Sequence, residues 1–240
     1  APELEKFEHR GIAFYTKSLI NALFESGAEI WLVTSFNIND LNIKKYEKNS
    51  RNYIYNCEIL KSFNDGIDFN LKQNFLIQFL QFKYKNKIFQ KLINFIQILL
   101  GNNTFGKKNT HQIKFNYKED NPYLKLEKLS FMRYISGFLS APNIAFSSNY
   151  ISFLPFRNKL KIKLDYFDIY ITTEPLNLIS LNNIPIFQTI HDLIPLEFDS
   201  HFLRSKSFYT KLKYCVNNKR IFISSVTKNK FNYLFNNKLT

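Results

Sequence analysis

PIFQTIHDLIPLEF, residues 185–198, is the stretch on which the fold turns. PIFQTI (185–190) is a short apolar run without strict alternation, as strands are when a parallel sheet is covered on both faces. It passes directly into His191 and Asp192, and Ile194 and Pro195 turn the chain away. A helical pattern follows from Leu203 to Val216, with Phe208, Leu212 and Cys215 at i, i+4 and i+7 and Asn217-Asn218 as its stop. RIFIS (220–224) is the next apolar run, and Ser224 stands before a last helical pattern, Val226 to Phe235, whose first amides its hydroxyl can cap. FDIYIT (167–172) reads as a further strand upstream. Strand and helix alternate, which predicts an α/β fold with a Rossmann-like, doubly wound, mostly parallel sheet.

Toward the N-terminus the same alternation returns. Ile12, Tyr15, Leu19 and Leu23 mark an amphipathic helix from Gly11 to Ser26 that Gly27 stops, and EIWLVTS (29–35) follows as a strand. The strand that would precede this helix in a βαβ unit is expected to be missing from the chain. Residues 36–71 are rich in Asn and Lys with a weak strand expected at Tyr53–Leu60, and residues 125–140 read as a helix. Residues 61–125 read as a variable, partly helical insertion, within which Phe75–Leu100 is the most apolar tract. Lys83, Lys85, Lys87 and Lys91 interrupt that tract, so it does not read as a bilayer span. It fits either helices packed on a core or a basic amphipathic surface on anionic lipid.

Composition bounds the function. A chain of 240 residues with 45% hydrophobic content can bury a sizeable core, which excludes a disordered polymer. Two cysteines, Cys57 and Cys215, suit a reducing compartment, and the polar first ten residues lack the apolar core of an export signal. A cytoplasmic location is expected, with the inner face of a membrane as a peripheral site. The formal charge of +14 comes mostly from Lys, only six of the 33 basic residues being Arg. Phosphate forks and base readout favour Arg, so nucleic acid is not an expected partner.

Ligands of open α/β sheets sit beyond the carboxyl ends of the strands, which singles out four places. Arg10, Gly11 and Ile12 head the first helix, where free amides and the helix dipole favour a phosphate; an ordinary helix-entry glycine would look the same. Glu174 follows FDIYIT as a carboxylate at a strand end or as a solvated loop residue. His191 and Asp192 follow PIFQTI, and an imidazole there can exchange a proton or bond a sugar hydroxyl, or serve structure alone. Ser224 and Thr227 head the last helix, where capping alone would explain them. A metal phosphohydrolase also uses a His-Asp pair, but His9, His111 and His201 lack the spacing of further ligands. Neither a dinucleotide fingerprint nor a Walker loop is present. Glu119 and Glu127 match an E-x7-E spacing in a context, polar loop into helix, that does not suit it.

Taken in order, these places resemble the N-terminal domain of GT-B fold glycosyltransferases of the GT4 group (glycosyl transferase group 1). HRGIAFYTKSLINALFESGAEIWLVTS is similar to that family's glycine loop, first helix and second strand, IPIFQTIHDLIPLEF to its strand and HD loop, and RIFISSVTKNKF to its strand followed by Ser-x-x-[ST]-[KR]. The likeness covers about residues 9–35 and 165–236. It implies retaining transfer of a sugar from a nucleotide-sugar donor to a glycan or lipid-linked acceptor of the cell-envelope polysaccharide type, without metal or other cofactor. Gly11 would then approach the donor phosphates, His191 would orient the transferred sugar, and Ser224 and Thr227 would sit near the donor cleft. Ala13 and Phe14 stand where the family often has a second glycine and an Arg, and Arg10 replaces a preceding glycine. The resemblance also implies a nucleotide-holding C-terminal domain beginning after about Thr240, so that the chain is expected to be an incomplete, acceptor-side domain, inactive alone. A binding module of another class remains open: a basic peripheral-membrane or anionic-ligand protein that docks through Phe75–Leu100.

Overall fold

Helix and strand succeed one another in this computed structural model. The order is helix α1 (Arg10–Glu25), strand β1 (Trp31–Thr34), α2 (Lys48–Asp65), β2 (Thr104–Phe105), β3 (His111–Lys114), a 3-10 helix (Glu127–Tyr134), β4 (Gly137–Ser140), β5 (Leu160–Ile162), β6 (Tyr170–Thr172), β7 (Leu178–Ser180), β8 (Ile186–Ile190), α3 (Ile194–Glu197), α4 (Phe202–Cys215), β9 (Lys219–Phe222) and α5 (Ser225–Asn236). The structure describes residues 4, 10–34, 36, 48–65, 104–105, 111–115, 127–141, 144, 148, 159–164, 166–197, 202–216 and 218–236. Both expectations for Phe75–Leu100 lie outside the described residues. Among the described residues no helix is long and apolar enough to cross a membrane. The strands form three small, open, parallel-rich sheets, and the class is mixed α/β.

Two compact units divide the chain, one of residues 2–103 and 110–142, the other of residues 1, 104–109 and 143–240. In the first unit α1 buries Thr16 and Ile20 and ends at Gly27, whose φ of 85° is open to glycine without strain. The Gly27 amide donates to the Phe24 carbonyl at 2.9 Å and the Ala28 amide to the Leu23 carbonyl at 3.1 Å, the paired bonds of a Schellman stop. The sheet order is β1-β4-β3, with β1 and β4 parallel and β3 antiparallel to β4. Central β4 is buried at all four positions, and Gly137 lets it pass beneath the Trp31 ring.

Two expectations are corrected here. Tyr53–Leu60 lies inside α2 instead of forming a strand, because its buried residues Asn56, Ile59, Leu60 and Phe63 recur every three to four positions and make one helix face. The Nδ2 groups of Asn52 and Asn56 both donate to the Lys114 carbonyl at 3.0 Å, fastening that face to the end of β3. Residues 125–140, expected as one helix, contain the 3-10 helix and then β4. Phe138, within that stretch, is a strand residue packed against Phe63 and Phe115.

The second unit carries the pattern that opened the sequence. Its sheets are β2-β5-β7 and β6-β8-β9, all neighbours parallel. β8 returns as parallel β9 by way of α3 and α4, a βαβ unit. The core beneath it joins Ile190, Leu193, Leu212, Phe231 and Phe235. Each such buried side chain contributes about 2 kcal/mol from the apolar surface it removes from water, so this cluster fixes α4 and α5 against the strands. β9, at the edge, is only half-buried, whereas central β8 is covered at four of five positions.

Candidate functional site

β6, β8 and β9 are parallel neighbours, so their carboxyl ends share one rim of the sheet. Three of the four places singled out in the sequence lie on it: Thr173-Glu174 after β6, His191-Asp192 after β8, and Ser224 through Thr227 after β9. Arg10, Gly11 and Ile12 belong to the first unit, where they form the first turn of α1. Gly11 is exposed, and a Cβ added there would meet nothing within 4 Å. Ile12 is half-buried, and its carbonyl accepts from the Thr16 hydroxyl at 2.9 Å.

His191 is half-buried, and its Nε2 lies 2.8 Å from the Thr173 carbonyl oxygen. A carbonyl can only accept, so Nε2 carries the hydrogen, and in the neutral ring Nδ1 holds the lone pair. The main chain of His191 is fixed as well, since the Thr227 hydroxyl donates to its carbonyl at 3.3 Å. That assignment orders the remaining protons. With the Thr227 hydrogen committed to His191, the 2.9 Å contact between Ser224 Oγ and Thr227 Oγ1 has Ser224 as donor. Ser224 Oγ in turn accepts from the Thr227 amide at 3.1 Å, the bond of a helix N-cap. Ser224 and Thr227 therefore tie α5 to the His191 backbone, a structural duty that leaves the first-turn amides of α5 as the anion-favouring groups of this corner.

Asp192 is exposed and accepts from the Ile194 amide at 3.2 Å, closing an Asx turn that starts α3. The Thr172 hydroxyl donates to the Glu174 carbonyl at 2.8 Å. The Glu174 carboxylate bears on Lys211 of α4: burial pushes the Lys211 ammonium below the usual lysine range, and the negative charge of Glu174 acts against that fall. Ile194, Ile223 and Val226 expose apolar side chains on the same rim.

Gln188, beneath the rim, is a residue that the functional reading of the sequence passed over. It sits fully buried on β8, donates from Nε2 to the Leu176 carbonyl at 3.0 Å and accepts at Oε1 from the Leu176 amide at 2.8 Å. The Cys215 thiol also donates to Oε1 at 2.9 Å. A Gln amid the apolar residues of PIFQTI was the available signal, because a buried amide must find partners. Burial pushes the Cys215 thiol up to about 12, so it stays protonated and unreactive.

Among the described residues no three His, Cys, Asp or Glu side chains are grouped as a metal site requires. No known protein family, curated protein or solved structure matches the chain.

Proposed function

We propose that the chain is the acceptor-side part of a retaining glycosyltransferase of GT-B architecture, with a Rossmann-like doubly wound sheet. It moves a sugar from a nucleotide donor to a glycan or lipid-linked acceptor without a metal. The observation that carries the reading is His191 at the carboxyl end of central strand β8, held by its ring and by its backbone. Ligands of open parallel sheets collect at that edge.

In the reaction the bond from the sugar C1 to the donor phosphate oxygen breaks and a bond from C1 to the acceptor oxygen forms. The acceptor proton leaves with the nucleoside diphosphate. Negative charge grows on the departing phosphate, and amides at a helix start stabilise such charge without reorganising. The first-turn amides of α5, on the rim that carries His191, take that role. His191 accepts a hydroxyl hydrogen of the transferred sugar at Nδ1. The apolar side chains of Ile194, Ile223 and Val226 pack against the C–H face of a sugar ring. Glu174 and Asp192 border the acceptor, and Ser224 and Thr227 keep His191 in register with α5.

The test uses the full-length gene product with nucleotide-sugar donors. His191→Ala is expected to lower transfer by at least about a hundredfold, the range for a lost acid–base or orienting group, with the unfolding midpoint unchanged. Transfer at the wild-type rate by His191→Ala would remove the reading, as would inversion at the anomeric carbon of the product.

A further inference from the structure

We infer that Gln188 is the positioning residue of His191: through Leu176 it fixes the loop whose Thr173 carbonyl holds Nε2–H, so that Nδ1 is the lone-pair nitrogen. The role assigned to that nitrogen rests on the sugar-transfer reading; the positioning does not.

The chain of contacts is short and each link is directional. The loop that leaves β6 is residues 173–177, and it is held at both ends. At its start the Thr172 hydroxyl binds the Glu174 carbonyl at 2.8 Å. At its far end the Gln188 amide grips both the amide and the carbonyl of Leu176, at 2.8 and 3.0 Å. Beyond that grip the Asn177 amide donates to Ser148 Oγ at 2.7 Å, and the Asn177 carbonyl accepts from the Leu160 amide at 3.0 Å. Thr173 lies inside the first clamp and three residues before the second, and its carbonyl receives Nε2 of His191 at 2.8 Å.

Gln188 and His191 lie three residues apart, on β8 and just past its end. The strand that carries the imidazole thus also carries the group that sets the imidazole's partner. A buried amide that spans a backbone N–H and a backbone C=O is specific in a way an apolar side chain is not, since it fixes the loop in register as well as in distance. No apolar residue of the same volume reproduces both bonds. The Cys215 thiol, kept protonated by burial, adds a third contact to Oε1 and holds the amide in the orientation that puts Nε2 on the Leu176 carbonyl.

Nitrogen NMR of the histidine side chains in the full chain reads the tautomer directly, and His191→Gln assigns the signal. The neutral wild-type ring is expected as the Nε2–H tautomer, and Gln188→Met, which keeps the volume and loses both amide bonds, is expected to shift it to a mixture of tautomers. Should Gln188→Met fail to fold, Thr172→Val, which releases the other end of the loop, is expected to give the same mixture. An Nδ1–H tautomer in the wild type overturns the inference, and so does an unchanged Nε2–H signal in a folded variant. In sugar-transfer assays of the full-length protein Gln188→Met is expected to lower kcat roughly tenfold at a nearly constant KM, as small displacements of orienting groups do. If the wild type transfers no sugar while the tautomer responds as described, the sugar-transfer reading fails and the positioning stands.

Discussion

The rim at the ends of β6, β8 and β9 and the head of α1 looked alike in sequence, each a small residue at a helix start, but they are built differently. On the rim three hydroxyls have structural partners: Ser224 caps α5, Thr227 binds the His191 carbonyl, and Thr172 holds the loop after β6. At the head of α1 the glycine answers to nothing in the fold, since a side chain at Gly11 would reach open space. A side chain at Gly11 would displace nothing in the fold, whereas a serine that packing does require says little about ligands. Another glycine of the same unit sharpens the point. Gly137 is demanded by its neighbours, because a Cβ there would stand 2.5 Å from the Trp31 ring and 2.8 Å from the Ile113 carbonyl oxygen.

Substitution at Gly137 gives the largest expected effect. Gly137→Ala must push apart β4, Trp31 and the paired backbone of β3, and is expected to lower stability by about 2 kcal/mol, as overpacked cores do; denaturant unfolding measures it. A midpoint equal to wild type would show that the tight passage under Trp31 is not required.

The second effect depends on pH. The Cys215 thiol ionises at 9.0 when unperturbed and only at about 12 in the folded chain, so between these values the folded state retains a proton that the unfolded state releases. Stability therefore falls as pH rises through that window, by about 1 kcal/mol between pH 8 and pH 10. Lys211 works in the opposite sense, its lowered pKa adding stability as pH rises toward its unfolded value of 10.5. Comparing wild type with Cys215→Ala isolates the thiol: the variant's stability should fall less steeply over the same interval, and parallel curves would refute the assignment.

Ser224→Ala removes the cap of α5 and is expected to lower stability by about 1 kcal/mol, with Ser224→Asn recovering most of it. A capping role predicts that recovery, and a ligand-binding role does not. The smallest effect belongs to Gly11→Ala, which should raise thermal stability slightly, by roughly 0.5 kcal/mol of helix propensity. If the head of α1 holds a phosphate, the same substitution weakens binding of that anion, so stability and affinity move in opposite directions. A loss of both would make Gly11 a structural glycine after all.

How much could be read from the sequence follows from how local each signal is. α1, α4, α5 and β8 were legible because their apolar spacing is complete within a dozen residues. α2 was misread at Tyr53–Leu60, where aromatic and branched residues suggest a strand while burial of Asn56 and Phe63 depends on partners more than 50 residues away. β5 and β7 are three residues long and exist by pairing, β5 with both β2 and β7, across gaps that local pattern does not span. On the candidate site, His191, Ser224 and Thr227 were singled out by position after apolar runs. The Thr173 carbonyl was not, because a backbone acceptor leaves no mark in the side-chain alphabet. Gln188 did leave one, a polar residue inside PIFQTI, and its meaning emerged only when Leu176 was seen opposite it.

The decisive experiment follows release of nucleoside diphosphate by the full-length protein with a panel of nucleotide sugars and a glycan or lipid-linked acceptor. Acceptor-dependent release is expected, and His191→Gln is expected to reduce it by at least about a hundredfold while the fold is kept. Release that persists undiminished in His191→Gln, or none from any donor in the wild type, would contradict the sugar-transfer reading.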